Sequence, residues 1–115
     1  MCRINAIVGA TYDPAFIFSN FNLCAHGGPD KTTFINTNDF SLCFHLLAIS
    51  DPTMALAQPY FIRLKDREIY IQANAEIFNH GELRKLVIEN NYHDGKGNPY
   101  VFQSNSDCEV LIPLY

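Results

Sequence analysis

The chain has 115 residues, with eight Lys and Arg against twelve Asp and Glu and a net charge of −4 with His neutral. This length fits one domain or part of one, and the 48% apolar and 17% charged residues exclude a disordered tail. The acidic balance argues against nucleic-acid binding through phosphate contacts. No apolar run reaches the roughly 18 residues that span a bilayer.

The first half of the chain predicts a strand, a helix and a second strand. Ile4–Val8 has the composition of a buried strand. The apolar segment Pro14–Ala25 favours a short helix over a strand, and the Gly and Pro residues of His26–Asp30 predict a turn. Phe40–Ser50 is again strand-like, and the two prolines of Asp51–Pro59 predict a loop.

The next segment predicts a hairpin followed by a helix. Tyr60–Leu64 and Glu68–Ala73 are two strand-like runs that a short polar segment joins. Asn79, with Glu82 three residues later, has the pattern of a helix capping box. Apolar residues at helical spacing follow it, so a helix is expected there.

The last part of the chain predicts a loop, a short strand and a helix. Asp94–Pro99 is rich in Gly and predicts a flexible loop, and Tyr100–Gln103 predicts a short strand. Ser106 and Glu109 form a second capping-box pattern, which predicts a helix start. Pro113 would kink that helix if it continued beyond its first turn.

The four cysteines, at positions 2, 24, 43 and 108, lack the close pairing that zinc sites use. Cys24 and Cys43 are predicted to be small buried hydrophobes, and no metal site is expected. Cys2 differs, because removal of Met1 would leave its thiol beside a free α-amine. Such amines titrate near pH 8 and can act as the base of an N-terminal nucleophile. Position alone leaves an ordinary second residue as the alternative.

Sequence blocks along the whole chain resemble those of one enzyme family. Residues 74–80 read Asn-Ala-Glu-Ile-Phe-Asn-His and are followed by Glu82-Leu83-Arg84, similar to Asn-Gly-Glu-Ile-Tyr-Asn-His and Glu-Leu-Arg of asparagine synthetases. Similar blocks, in the family's order and at about its spacing, are Met1-Cys2, His26-Gly27-Gly28-Pro29-Asp30, Leu46-Leu47-Ala48-Ile49-Ser50-Asp51 with Gln58-Pro59, and Ser106-Asp107-Cys108-Glu109-Val110. The chain is therefore identified as a member of the class II, N-terminal-nucleophile (Ntn) glutamine amidotransferases of asparagine-synthetase type.

The resemblance implies an α+β fold of the Ntn-hydrolase type, an αββα sandwich of two facing antiparallel sheets. Residues 1–115 correspond to about the first half of a glutamine amidotransferase type-2 domain, so a partial domain without its synthetase domain is expected. No cofactor is implied for this part, since ATP and magnesium belong to the synthetase domain. The implied partners are glutamine and a synthetase domain or subunit. The charge balance and the short apolar runs predict no nucleic acid and no membrane, and the N-terminal apolar stretch is too short for a signal peptide, which predicts the cytoplasm. A homo-oligomer is left open.

The resemblance also assigns roles to matched residues. Cys2 would attack the side-chain amide of glutamine, and the Asn74 side chain and the backbone N–H of Ala75 would stabilise the oxyanion. Asp107 would bind the α-ammonium of glutamine. Residues expected to contact the substrate are Leu46, Leu47, Asn74, Glu76 and Asp107. For Asp107 a helix-stabilising carboxylate is the alternative, and for Glu76 a surface position.

Three departures from the family pattern fall at this site. Leu46 stands where the family has the arginine that binds the glutamine α-carboxylate. Gly27 replaces the arginine of the His-Arg-Gly-Pro-Asp block, and Ala75 replaces a glycine, which would be strained if φ were positive there. Restoring arginine at positions 46 and 27 is therefore expected to raise activity.

Two function classes follow from these blocks. The first is a glutamine-hydrolysing amidotransferase of asparagine-synthetase type, which releases ammonia through a thioester on Cys2 for ATP-dependent amidation of aspartate. The second is a catalytically impaired or inactive relative with a binding or assembly role. Cys2, Asn74 and Asp107 favour the first class, whereas Leu46 and Gly27 favour the second.

Overall fold

The structure is a computed structural model that describes residues 1–9 and 12–115. It is a mixed α+β fold, as expected, with small antiparallel sheets. In chain order its elements are β1 (Arg3–Val8), α1 (Pro14–Phe21), β2 (Lys31–Asn36), β3 (Phe40–Leu46), β4 (Tyr60–Arg63), β5 (Glu68–Ile71), α2 (His80–Glu89) and α3 (Leu111–Leu114). Short 3₁₀ helices cover Asn22–Gly27 and Asp107–Val110.

Strand β3 is the centre of a three-stranded antiparallel sheet with the order β1-β3-β2. Arg3 lies opposite His45 in the ladder between β1 and β3, and Lys31 lies opposite Leu46 in the ladder between β2 and β3. The first residue of β1 therefore lies beside the last residues of β3. This antiparallel register brings the start of the chain next to residues 45–47.

The predicted strand Phe40–Ser50 ends earlier, at Leu46. The next backbone donors leave the ladder because other groups take them. Leu47 N donates to Cys2 Sγ at 3.3 Å, and Ala48 N donates to the Asp30 carboxylate at 2.7 Å. Both contacts turn the chain away from the sheet.

The predicted hairpin is confirmed as β4 and β5, which form a separate two-stranded sheet. Phe40 of β3 contacts Tyr70 of β5, with ring centroids 5.2 Å apart. The predicted helix after Asn79 is confirmed as α2. The expected helix over Pro14–Ala25 is α1 followed by a 3₁₀ helix.

Two strand assignments need correction. β2 was not predicted, although Thr32 and Thr33 are β-branched residues typical of strands. The predicted strand Tyr100–Gln103 is wrong. Its last backbone donor, Gln103 N, is bound to the Glu109 carboxylate at 2.6 Å and makes no strand ladder.

Both predicted capping boxes are also wrong in their side-chain contacts. Asn79 and Ser106 precede helices as expected, but neither side chain makes a capping hydrogen bond. The Ser106 hydroxyl instead lies 3.4 Å from the Tyr60 hydroxyl. The Glu109 carboxylate binds residues 100–104 rather than the backbone of Ser106.

The core is small and lies between α1 and the three-stranded sheet. Ile17, Phe21 and Cys43 are buried together, with Ile7 and Phe34 packed against them. Cys43 is fully buried, as predicted, and burial raises the pKa of its thiol to about 11. Cys24 differs from the prediction, because it is only half-buried and its Sγ donates to the carbonyl of Phe21 at 3.1 Å.

The opposite face of β1 is apolar and exposed. Ile4 and Val8 lie on this face at 40% and 77% exposure. The accessible surface of 7324 Å² exceeds the roughly 6,400 Å² expected of a compact monomer of 13.1 kDa. Among the helices that the structure describes, none has the length and apolar character needed to cross a membrane.

The exposed β1 face predicts self-association of the isolated chain. Burying apolar surface stabilises association by roughly 25 cal/mol per Å², so light scattering should rise with protein concentration. The double variant Ile4→Thr/Val8→Thr keeps β-branched residues and should lower that scattering. Leu23→Ser, which removes an exposed leucine outside β1, should leave it unchanged. A clean monomer with one sharp thermal transition in the unmodified chain would contradict the prediction.

Candidate active site

Cys2 is held against the end of β3. Its half-buried Sγ accepts a hydrogen bond from Leu47 N at 3.3 Å and lies 3.7 Å from Leu47 O. The backbone of Cys2 leads directly into β1, whose pairing with β3 fixes its position. The Cys2 thiol is therefore held in place by Leu47, which is 45 residues away in the sequence.

Asn74 reaches Cys2 from the other sheet. Its Nδ2 donates to the Cys2 carbonyl at 3.0 Å. The preceding residue, Ala73, is bound on both sides by Gln58, whose Nε2 donates to Ala73 O at 2.9 Å and whose Oε1 accepts from Ala73 N at 2.5 Å. Gln58 thus gives the chain after β5 the direction that brings the Asn74 amide to Cys2.

Ala75 follows Asn74 without the strain that its sequence suggested. Among the non-glycine residues the structure describes, only Met54 and Asn91 have positive φ. The conformation at residue 75 is therefore one that alanine adopts freely. Its carbonyl accepts a weak hydrogen bond from Cys108 Sγ at 3.6 Å.

Asp107 begins the 3₁₀ helix and points toward the same region. Its Oδ2 accepts from Ile77 N at 2.6 Å, which ties residues 74–77 to the end of the chain. Arg84 of α2 supports this segment from behind, donating to the carbonyls of Ser104 and Ser106 at 2.9 Å each.

One cavity of about 80 Å³, which we call the Cys2 cavity, brings most of the predicted site residues together. Cys2, Leu46, Leu47, Asn74, Ala75 and Asp107 all line it. Glu76 does not line it and is exposed on the surface, so its predicted substrate contact has no support in this arrangement.

The charged groups of the Cys2 cavity are carboxylates. Among its described lining residues there is no Lys, Arg or His, and the acidic ones are Asp51 and Asp107. Hydrogen bonds from Thr53 and from the backbone of Asn105 hold the pKa of Asp51 below its usual range. Burial raises the pKa of the second thiol, Cys108, to about 11, so that group is neutral at physiological pH.

The His26–Asp30 turn lies against the end of β3. Gly28 is required there, because a Cβ at this position would be 2.0 Å from the carbonyl oxygen of His45. Asp30 N donates to Leu46 O at 3.0 Å, and the Asp30 carboxylate accepts from Ala48 N. The turn thereby positions residues 46–48, which line the Cys2 cavity.

Arg3 fills the space over Gly27. A Cβ built on Gly27 would lie 2.6 Å from Nε of Arg3. The Arg3 guanidinium also donates to the carbonyls of Met1 and Cys2 at 3.3 Å each. The Arg3 side chain thus occupies the space that a side chain at position 27 would take, and the expected gain from adding Gly27→Arg to Leu46→Arg stays a prediction. An arginine there would compete with Arg3 for the same space.

Sequence reasoning did not predict how four residues support this site, and for Glu109 it predicted only a helix-capping role. Gln58, Asp51, Arg84 and Glu109 all belong to the blocks that carry the family resemblance, which was the available signal. Their hydrogen bonds hold residues 73 and 103–106 in place. Among the described residues, no group of three or more His, Cys, Asp or Glu is arranged to hold a metal ion.

The contact between Arg3 and Gly27 predicts coupled effects on stability. Gly27→Arg alone should lower the free energy of unfolding by about 1–2 kcal/mol through overpacking. In the Arg3→Gly background the same change should be tolerated, giving a coupling energy of about 1 kcal/mol in a double-mutant cycle. Urea unfolding of the four proteins measures it.

Gly81→Arg provides the control, because a Cβ at Gly81 meets nothing within 4 Å. That change should show no coupling to Arg3. Additive effects of Arg3→Gly and Gly27→Arg would mean that the two positions do not share space.

Comparison with known proteins identifies the family. The family model described as "Glutamine amidotransferase domain" matches residues 1–115. Similar proteins include asparagine synthetase (glutamine-hydrolysing) 1 of Arabidopsis thaliana, at 32% identity, and the asparagine synthetases (glutamine-hydrolysing) of Sandersonia aurantiaca and Rattus norvegicus, at 33% and 30%. Each alignment covers 100% of this chain, which spans between 18% and 20% of the length of these relatives. The chain therefore belongs to the glutamine amidotransferase domain family, in the form found in glutamine-hydrolysing asparagine synthetases.

Proposed function

We propose that residues 1–115 form part of an Ntn-type αββα amidotransferase domain that releases ammonia from the side-chain amide of glutamine. In the full assembly, a synthetase domain or subunit beyond these residues uses the ammonia for ATP-dependent amidation of aspartate. One observation carries the proposal: Cys2, Asn74 and Asp107 come from distant parts of the sequence and line one cavity.

The reaction begins with attack of Cys2 Sγ on the amide carbon. Once Met1 is removed, the α-amine of Cys2 takes the thiol proton and delivers it to the leaving nitrogen. The C–S bond forms first and gives a tetrahedral oxyanion; the oxyanion then collapses, the protonated nitrogen leaves as ammonia, and a thioester remains. Water then attacks the thioester, which releases glutamate and regenerates the thiol.

Asn74 is suited to stabilising the oxyanion of this reaction. Its Nδ2 is 3.0 Å from the Cys2 carbonyl, so the amide lies beside the nucleophile. A preorganised donor of this kind contributes about 3 kcal/mol to transition-state stabilisation. Asp107 lies in the same cavity, and Ile77 N occupies its Oδ2, which leaves Oδ1 for a substrate ammonium.

A second candidate function is a family relative with weak or no glutaminase activity. The observation that favours it is the Leu46 side chain, which lines the Cys2 cavity where the family arginine would bind the substrate carboxylate. Losing such a charge-assisted bidentate pair in a cavity costs about 3–5 kcal/mol. Both candidates share the thiol chemistry and differ in how well glutamine binds.

Processing at the N-terminus is the first test of the proposed mechanism. An active chain must begin at Cys2, because retained Met1 turns the base amine into an amide that cannot accept the proton. The Met1 side chain is 79% exposed, which leaves it open to an aminopeptidase. Intact-mass measurement should show a chain shorter by one methionine. Quantitative retention of Met1 would rule out N-terminal-nucleophile catalysis.

Arginine at position 46 should restore glutamine recognition. Leu46→Arg is expected to lower the KM for glutamine and raise kcat/KM by about 10²-fold, which corresponds to roughly 3 kcal/mol of restored carboxylate binding. Leu46→Met is the matched control, since it keeps an apolar side chain and should change little. Glutamate release measures the effect, and Cys2→Ala in the Leu46→Arg background should abolish it. If the unmodified chain already equals Leu46→Arg, the site is not impaired.

A further inference from the structure

The Cys2 cavity has an acceptor for a substrate ammonium but no cationic side chain for a substrate carboxylate. Asp107 lines the cavity, and one of its carboxylate oxygens accepts a hydrogen bond from Ile77 N. Within residues 1–9 and 12–115, which the structure describes, no Lys, Arg or His lines the cavity. Glutamine carries both charges next to each other. The cavity therefore matches half of its amino-acid moiety.

Two arginines, Arg3 and Arg63, contact other groups outside the cavity. Arg3 packs over Gly27 and donates to the carbonyls of Met1 and Cys2, and it does not line the cavity. Arg63 lines other surface depressions and pairs with Glu68. Neither arginine lines the Cys2 cavity.

The surroundings of that place oppose a carboxylate further. Leu46 and Leu47 present apolar groups to the cavity, and Asp51 adds a second negative charge to its wall. Thr53 and Asn105 occupy the Asp51 oxygens, so Asp51 acts through its charge. A carboxylate entering between these groups would lose water without gaining a positive partner from any lining side chain.

On the basis of the proposed amide cleavage at Cys2, we propose that this site prefers primary amides that carry an ammonium group but no free α-carboxylate. The simplest member of this class is 4-aminobutanamide, which is glutamine without its carboxylate. The acyl group would move to Cys2 Sγ as ammonia leaves. Water would then release 4-aminobutanoate.

Three donors of similar length test the preference. 4-Aminobutanamide keeps only the ammonium, glutaramate keeps only the carboxylate, and glutamine has both. With the processed chain, ammonia release should be most efficient for 4-aminobutanamide, with kcat/KM about tenfold or more above that for glutamine, and lowest for glutaramate. Cys2→Ala must abolish release from each donor.

Two variants separate the charges. Leu46→Arg should reverse the preference so that glutamine exceeds 4-aminobutanamide, whereas Leu46→Met should keep the original order. Asp107→Asn should lower kcat/KM for 4-aminobutanamide at least tenfold more than it lowers kcat/KM for glutaramate. A structural role of Asp107 alone would instead lower all donors together.

Binding gives a readout that does not depend on turnover. In the Cys2→Ser variant, NMR titration should show tighter binding of 4-aminobutanamide than of glutamine. Cys2-dependent turnover with glutamine as the better donor would overturn this inference while leaving the proposed function intact. Absence of ammonia release from all three donors, with Met1 removal verified by mass, would overturn the proposed function and this inference with it.

Discussion

The buried carboxylate of Glu109 organises the second half of the chain. It is fully buried and accepts hydrogen bonds from the backbone of Gln103 and Ser104 at 2.6 and 2.8 Å, with further bonds from the hydroxyls of Ser104 and Tyr100. Arg84 completes the set at 3.7 Å. A charge buried in this way is tolerated only when its lone pairs are filled, so residues 100–104 must follow the path that fills them. The same path leads directly into Asp107. The geometry of the Cys2 cavity therefore depends on a group that does not line it.

The other half of the cavity depends on strand register. Cys2 precedes β1 and Leu46 ends β3, and antiparallel pairing places those two ends side by side. A shift of one residue would turn Cys2 to the opposite face of the sheet. Leu47 N donates to Cys2 Sγ instead of continuing the ladder. The Cys2 thiol therefore also sets the end of β3 at Leu46. Gln58 then brings Asn74 from the second sheet to the same point.

Elements with strong local patterns could be predicted from the sequence, whereas those set by distant contacts could not. β1, the β4–β5 hairpin and α2 follow from local periodicity and turn residues. β2 has weaker apolar character and gains its place by pairing with β3. The false strand at Tyr100–Gln103 has strand composition, but the Glu109 carboxylate takes the backbone N–H of Gln103. For the candidate site, the family blocks named the cavity residues but could not show that Arg3 lies over Gly27, because side-chain packing between β1 and a turn leaves no local signal.

Two departures from the family pattern, at Gly27 and at Leu46, have different surroundings. At Gly27 the Arg3 side chain from the neighbouring strand occupies the space that a side chain would take, so a cation lies close to position 27. At Leu46 no described neighbour in the cavity makes the corresponding replacement. A cation close to position 27 remains available near Cys2, whereas an apolar residue 46 offers no charge to a ligand carboxylate. Asp107 lines the cavity while residue 46 is apolar, so the lining side chains offer a partner to a ligand's positive charge and none to its negative charge. On the basis of the proposed amide cleavage, we infer that such a site favours ligands that present only the charge it can pair.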